Sequence, residues 1–389
     1  MTLSTTATDL IGVNGGQTAL HNRRTVLRAI GRGAPISRTE LALQTGLTKQ
    51  AIARIADKLI EDGLVLEARR RHGLRGQPAI ELELDPNGCF SIGANIDRDH
   101  LTIVAVDALG GIRARIHHEE RFILPDRFMA LIRDALQTFR RKKFIDESRL
   151  VGMGIAIPDQ LGEVPVLGAP DDYHLWTSFD IGPGLRKLVH HSIFIDNDAN
   201  AAAAGELQYG LGAESRTFFY ILANACLGGG LVINGVRHRG ASGVGGDIGW
   251  LTASTNISAA PSRPLGKIFS LFILYEFLRR HGIDAAEPRD LLALDARGRA
   301  LVSRWLAAVS VPLAEAVLHI GMIVDPDAVL IGGRFPVRLI DELLLDVHEH
   351  LEKSGMRYPS VHRAASFEDA AALGAAAMPL AQALALEAA

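Results

Sequence analysis

The sequence predicts an α/β protein built as a small winged helix-turn-helix head followed by a larger two-lobed body. Three observations carry this expectation. Residues 36–65 read as two short helices around a tight turn, a basic loop between two strand-like runs follows at once, and from Cys89 onward apolar β-rich runs alternate with helical stretches.

In the head, the periodicity predicts a first helix over about 18–32, with Leu20, Val26, Leu27 and Ile30 as its buried stripe. Ser37 and Glu40 have capping-box spacing, so the serine oxygen and the glutamate carboxylate can satisfy the free amides that open a second helix. Leu41, Ala42 and Leu43 fill its first turns. Gly46 is suited to the left-handed conformation that ends it, and Thr48 to capping the next helix, which runs to about Asp62. There Ile52, Ile55, Ala56, Leu59 and Ile60 recur at helical spacing and face inward. Lys49, Gln50, Ala53 and Arg54 lie opposite and form the candidate reading surface. Two strands bracketing the basic loop ARRRHGLRGQPA make a wing. Its Arg69, Arg70, Arg71 and Arg75 suit phosphate contact, and Arg75 beside glycine is slim enough for a minor groove. Thr48, Lys49, Gln50 and Arg54, with Arg75 and Gln77 of the wing, are the expected DNA-contacting residues.

Charge supports this division. Residues 1–86 hold 12 Lys and Arg against 9 Asp and Glu, a net of +3; the whole chain carries −3, so the remainder carries −6. A basic head on an acidic body fits nucleic-acid binding confined to the head; the alternative is a small packing domain whose arginines are merely solvated. No uninterrupted apolar run reaches the ~18 residues of a membrane span, and MTLSTTATDL lacks the basic start and apolar core of a leader. A cytoplasmic protein is expected, with a flexible tail over 1–16, the head over 17–86 and the body over 87–389. Cys89 and Cys226 are the two cysteines, too few for a disulfide framework or a cysteine zinc site.

The body begins with CFSIGANI and LTIVAVD, two apolar strand-like runs, and IRARIHHEE, which alternates toward solvent. A helix over about 125–143 and the buried strand LVGMGIAIP follow. A second half is marked by RTFFYILANA, GGLVING and DAVLIGG, with a helix over 336–353. Two such halves suggest two lobes with a small-molecule cleft between them. The adjacent pairs His117–His118 and His190–His191 point apart, and His348 and His350 diverge on a helix, so all are expected at the surface rather than on a metal.

Four stretches carry a more specific likeness: IDNDANAAAAGE at 195–206, LGGGLVINGVRHRGASGVGGDIGW at 227–250, DPDAVLIGG near the end, and the head from HNRRTVLRAI to GLRGQPA. With them the chain resembles the ROK family of repressors, open reading frames and sugar kinases, within the actin-like ATPase superfamily. The head is similar to the one that family repressors have and family kinases lack. The resemblance implies that Asn197 and Asp198 form a sugar site with Asp247, where the family has Glu, and with Trp250. Asp198 would be the base in a kinase; its alternative here is to cap the alanine-rich helix that follows. Trp250, at the family's zinc-histidine position, either stacks on a sugar or fills space. Asp196 is expected to be structural or exposed, and Gly228, Gly229 and Gly230 to serve strand and turn.

Three departures bear on chemistry. Where family kinases read Asp-Ile-Gly-Gly-Thr and cradle ATP phosphate on glycine amides, residues 95–99 read NIDRD, which removes the metal carboxylate and both glycines. The zinc ligands are replaced, since LTASTNISAAPSRP holds no cysteine. Asp159 stands where the family has glycine. The expectation is therefore a transcriptional regulator of repressor type, with no catalytic residue, cofactor or metal and no membrane partner. It would bind operator double-stranded DNA and a sugar or sugar derivative, as a homodimer or dimer of dimers. The alternatives are a sugar kinase with an accessory DNA-binding head and a ligand-independent DNA-binding protein with a vestigial pocket.

Overall fold

A computed structural model describes residues 15–71, 79–163, 168–213, 215–253, 263–365 and 368–384, and divides into two compact units, one running to Gly88 and taking in the last helical residues from Gln382, the other Cys89–Ala381. In the first unit α1 (Gly15–Gly33), β1 (Ile36–Ser37), α2 (Arg38–Thr45), α3 (Lys49–Glu61), β2 (Val65–Arg71) and β3 (Ala79–Leu84) follow in order. The capping box forms at the start of α2. The Glu40 amide donates to Ser37 Oγ at 3.2 Å, and the Ser37 amide donates to the Glu40 carboxylate at 2.8 Å. Gly46 closes α2 with φ 69°, a conformation that costs glycine nothing, and Thr48 Oγ1 accepts the Ala51 amide at 3.2 Å to open α3. Val26, Leu27, Ile30, Leu41, Ile52, Ile55, Ala56 and Leu59 make the helical core. The strands pair antiparallel in the order β1-β3-β2, with Ile36 opposite Leu82 and Val65 opposite Leu84.

Two core expectations fail here and a third is met in part. Leu43 is 80% exposed, because two helical positions from buried Leu41 is a rotation of about 200° and so the opposite face. Leu20 is 50% exposed, the buried stripe of α1 beginning only at Val26. Ile60 is only half-buried. The flexible-tail reading of 1–14 and the wing residues Arg75 and Gln77 lie outside the described residues, while Gly15 and Gly16 already belong to α1.

The second unit repeats one sheet topology twice. The first lobe contains β4 (Phe90–Ile96), β5 (His100–Asp107), β6 (Ile112–Glu119), α4 (Pro125–Lys142), β7 (Leu150–Ile157), α5 (Ile181–Arg186), β8 (Ser192–Asn197) and then α6 (Asp198–Tyr209). The second contains β9 (Phe218–Ala223), β10 (Leu227–Ile233), β11 (Val236–Arg237), the short pair β12 (Thr252–Ala253) and β13 (Arg263–Pro264), α7 (Leu271–Arg280), α8 (Pro288–Leu292), α9 (Ala296–Val324), β14 (Ala328–Gly333), α10 (Val337–Ser354), β15 (Ser360–Arg363) and α11 (Ala370–Leu384). The sheet orders are β6-β5-β4-β7-β8 and β11-β10-β9-β14-β15. In each, three antiparallel strands are followed by two parallel ones.

Between the sheets pack α6 and α11, in a core of small residues that includes Ala199, Ala202, Ala203, Ala371 and Ala375 with Phe218 and Tyr220. Small residues are needed because the backbones nearly touch: a Cβ on Gly154 would fall 1.9 Å from the Ala375 carbonyl oxygen, and one on Gly374 would fall 1.6 Å from that of Ala201. The 29-residue α9 has the length and hydropathy of a membrane span. However, Val302, Trp305, Leu306, Val309, Leu313 and Val317 bury one face of it in the second lobe's core, as a central helix of a globular domain would.

Candidate functional site

The ends of β7 and β8 and the glycine-rich turn after β10 converge on a cavity of about 370 Å³. Asn197, Asp198, Asp247 and Trp250 all line it, so the structure brings the four sequence-predicted ligand residues together. Their local geometry decides two alternatives that the sequence left open. Asn197, not Asp198, caps α6: its Oδ1 accepts the amides of Ala199 at 2.9 Å and Asn200 at 3.1 Å. Asp198 is the first helical residue, 8% exposed, with one carboxylate oxygen taking the Ala199 amide at 2.8 Å. Trp250 is 61% exposed at the rim, which rules out filling of space in a core. Asp247 accepts the Gly249 amide at 3.0 Å.

Burial, and after it the charge of Asp97, pushes the Asp198 carboxyl up to about 7. Burial also raises Asp159 and Asp247. A carboxyl whose folded pKa exceeds its unfolded value of about 3.9 keeps its proton longer in the native state, so stability falls as pH rises from about 4 to about 7. Asp198→Asn is expected to be more stable than the parent at pH 8 and to show a flatter pH dependence. Melting temperatures from pH 5 to 8 check this; an unchanged slope would place the titration elsewhere.

Asp196 is structural, as one of the two readings had it, and buried rather than exposed. It pairs with Arg237 at 2.6 Å and Arg239 at 3.2 Å. Gly228–Gly230 lie in β10, where Gly230 lets the strand pass the Ala199 backbone: a Cβ there would meet its carbonyl oxygen at 2.5 Å.

Beside the cavity, the turn between β4 and β5 holds Asp97, Arg98 and Asp99, flanked by Asn95 in β4 and His100 at the start of β5, none more than 5% exposed. Two of its amides are already spent. The Asp97 amide donates to the His100 carbonyl at 2.9 Å, and that of Arg98 to Asp97 Oδ1 at 2.7 Å. The side chains form a network across the two lobes. His100 Nδ1 lies 2.6 Å from Asp99 Oδ1 and its Nε2 lies 3.0 Å from Asn95 Oδ1. Arg334, just after β14, donates to Asp99 Oδ2 at 2.7 Å and to Glu119. Asn224, after β9, donates to Asp97 Oδ2 at 3.3 Å and accepts the Arg334 amide at 3.0 Å. Burial alone would raise Asp99, but His100 and Arg334 outweigh it and hold the carboxyl at about 2; burial and the neighbouring Asp99 raise Asp97. His117, half-buried, joins this network through Thr102 at 2.8 Å and Glu119 at 2.9 Å. Asp97, Asp99 and His100 approach one another as a metal site would, but Asn224, Arg98 and Arg334 already satisfy the carboxylates.

On the head, Thr48, Lys49, Gln50 and Arg54 are all exposed along the first two turns of α3. The acidic groups nearby are paired: Asp57 with Arg38 at 2.8 Å, Glu61 with Lys58 at 2.9 Å and Asp62 with Arg23 at 2.6 Å. Among the described residues Lys49 and Arg54 enter no ion pair, so this end of α3 presents uncompensated positive charge.

Residues 91–382 match the ROK family and residues 22–75 the MarR family. The chain belongs to the ROK family. The xylose repressor of Bacillus spizizenii is 26% identical over 236 residues, 60% of this chain and 61% of that protein, so the match spans under two thirds of the relative. A solved ROK family transcriptional regulator, described as a homologue of an Escherichia coli MLC protein, superposes with a TM-score of 0.66 at 20% identity, covering 94% of this chain and 96% of that one. A ROK family glucokinase from Streptomyces griseus, solved with glucose and AMPPNP, gives a TM-score of 0.57 at 20% identity over 74% of this chain and 98% of the kinase. The ROK body thus carries the fold of both groups.

Within this ROK chain, sequence reasoning missed Arg334, Asn224 and His100. Gly332 and Gly333 before Arg334 mark a strand end but say nothing about a partner. Arg237 and Arg239 had a signal, two arginines in the glycine-rich turn that faces the Asn-Asp motif.

Proposed function

We propose that the protein is a transcriptional regulator of repressor type, acting in the cytoplasm. Its winged head binds operator double-stranded DNA, and its ROK cleft binds a sugar or sugar derivative that shifts the balance between DNA-binding and released forms. Thr48, Lys49, Gln50 and Arg54 enter the major groove, with Arg75 and Gln77 of the wing beside them; Asn197, Asp198, Asp247 and Trp250 hold the effector. Two heads on a palindromic site require a symmetric oligomer, a homodimer or a dimer of dimers.

The observation that carries this reading over phosphoryl transfer is the β4–β5 turn. A kinase loop offers free amides to phosphate, whereas here those of Asp97 and Arg98 are bonded within the turn, beside the Arg334 guanidinium. The xylose repressor's likeness supports the regulatory reading.

Selection of random duplexes by the purified protein, followed by anisotropy titrations, tests the head. Arg54→Ala is expected to weaken the selected operator by roughly tenfold to a hundredfold, as loss of a base contact does. Lys49→Ala is expected to lower the slope of log affinity against log salt by about one. Failure to enrich any duplex would sink the DNA-binding assignment. A thermal-shift screen of sugars, sugar phosphates, polyols and ATP with magnesium tests the cleft, with Asp198→Ala expected to abolish a sugar-dependent shift. A shift with ATP alone would favour the kinase instead.

A further inference from the structure

Arg98 lies in the turn that Arg334 meets from after β14, yet their surroundings differ. Arg334 meets Asp99 at 2.7 Å and Glu119 besides. Arg98 is 5% exposed and lines the cavity. Among the described residues its guanidinium has Asp97 Oδ1 as its nearest carboxylate oxygen, at 3.6 Å, and one hydrogen bond, to the Asp159 carbonyl at a long 3.4 Å. That Asp97 carboxylate is already shared between the Arg98 amide and the Asn224 side chain. A guanidinium has five N–H donors in a fork, and taking it out of water is costly unless a charge or several acceptors meet it. A second cation, Lys267, sits exposed at the cavity rim and forms no ion pair among the described residues.

We propose that the ligand of this cleft carries an anionic group, a carboxylate or a phosphate, which Arg98 takes in a forked contact with Lys267 closing over it. This rests on the sensor reading above and names its effector class: an acidic sugar derivative rather than a neutral sugar. The division of labour follows from the lining. Asp159, Asp198 and Asp247 offer acceptors to hydroxyl groups, as in a site for neutral sugars. Arg98 can donate to a hydroxyl oxygen as well, but a planar carboxylate or a phosphate meets its fork with charge and two acceptors at once. Burial moves the three aspartates toward their neutral forms, which lessens their repulsion of an anion. Asn200 adds to the same wall a buried side-chain oxygen with no hydrogen-bond partner among the described residues.

Calorimetric titration of the full-length protein with matched compounds tests this: glucose against glucuronate, gluconate and glucose 6-phosphate, and xylose against xylonate, each at low and high salt. At least one acidic compound is expected to bind about tenfold or more tightly than its neutral parent, the worth of a charge-assisted contact. The advantage should shrink with added salt and fall about tenfold in Arg98→Gln. Lys267→Gln, at the exposed rim, and the salt dependence of the unmodified protein give the same reading should Arg98→Gln fail to fold. A winning acid derivative assigns a carboxylate, a winning 6-phosphate a phosphate. Neutral sugars binding as tightly as their acidic partners, with no salt dependence, overturn the anion assignment and leave the sensor reading standing. Absence of binding by every compound, with operator binding intact, overturns both.

Discussion

Arg334→Met is expected to destabilise the body by about 3–5 kcal/mol at neutral pH, the usual cost of removing one partner from a buried ion pair. The melting temperature should fall by on the order of 10 °C. The effect is large because Arg334 is 7% exposed and Asp99 is 1% exposed, so no water replaces the lost charge. Glu119 loses a partner in the same step. The sign with pH follows from Asp99, whose folded carboxyl is held at about 2, below its ordinary value of 3.8. Its contribution is complete above about pH 4 and is lost as pH falls through about 2, so the variant and the parent should converge in acid. Denaturation at pH 7 and pH 3 checks both points. Combining Arg334→Met with Asp99→Leu should restore part of the loss, since the orphaned charge is then gone. A loss below about 1 kcal/mol at pH 7 would mean that packing alone joins the lobes here.

Gly154→Val is expected to prevent the body from reaching its native packing. Even the Cβ would lie 1.9 Å from the Ala375 carbonyl oxygen, and that oxygen belongs to the backbone of α11, which cannot yield without the helix moving. Overpacking a core costs typically about 1–3 kcal/mol when side chains can shift; here a whole helix must shift, and its other contacts, Gly374 against Ala201 and Ala372 against Gly93, are equally close. Poor soluble yield, or a melting transition lowered by well over 10 °C in the Gly154→Ala variant, is the expected result. A parent-like melting curve for Gly154→Ala would show that α11 does not seat against β7.

The head was legible in its sequence because its instructions are local. Ser37 and Glu40 are three residues apart, and Gly46 and Thr48 act on the amides beside them. Leu43 was misjudged for a related reason: an apolar residue near a helix start looks like core until its angle from Leu41 is counted. The cleft was legible in membership through the Asn-Asp motif and the glycine-rich turn, but roles within it were not. Asn197 and Asp198 are both good caps, and the choice between them depends on where the helix begins, a matter of one residue that strand β8 fixes by ending at Asn197.

By itself the sequence determined the alternation of strands and helices in two halves, the winged head, the exposed polar face of α3 and the loss of the glycine phosphate loop. Each depends on residues a few positions apart, where periodicity, caps and backbone freedom act. Only the tertiary structure decided what replaced the loop. It turned Asp99 toward Arg334, 235 residues away, and Asp97 toward Asn224, 127 residues away, while Arg98 was left facing the cavity. A buried charge takes whichever opposite charge or polar group the fold brings within about 3 Å, and no local pattern encodes a partner supplied by the other lobe.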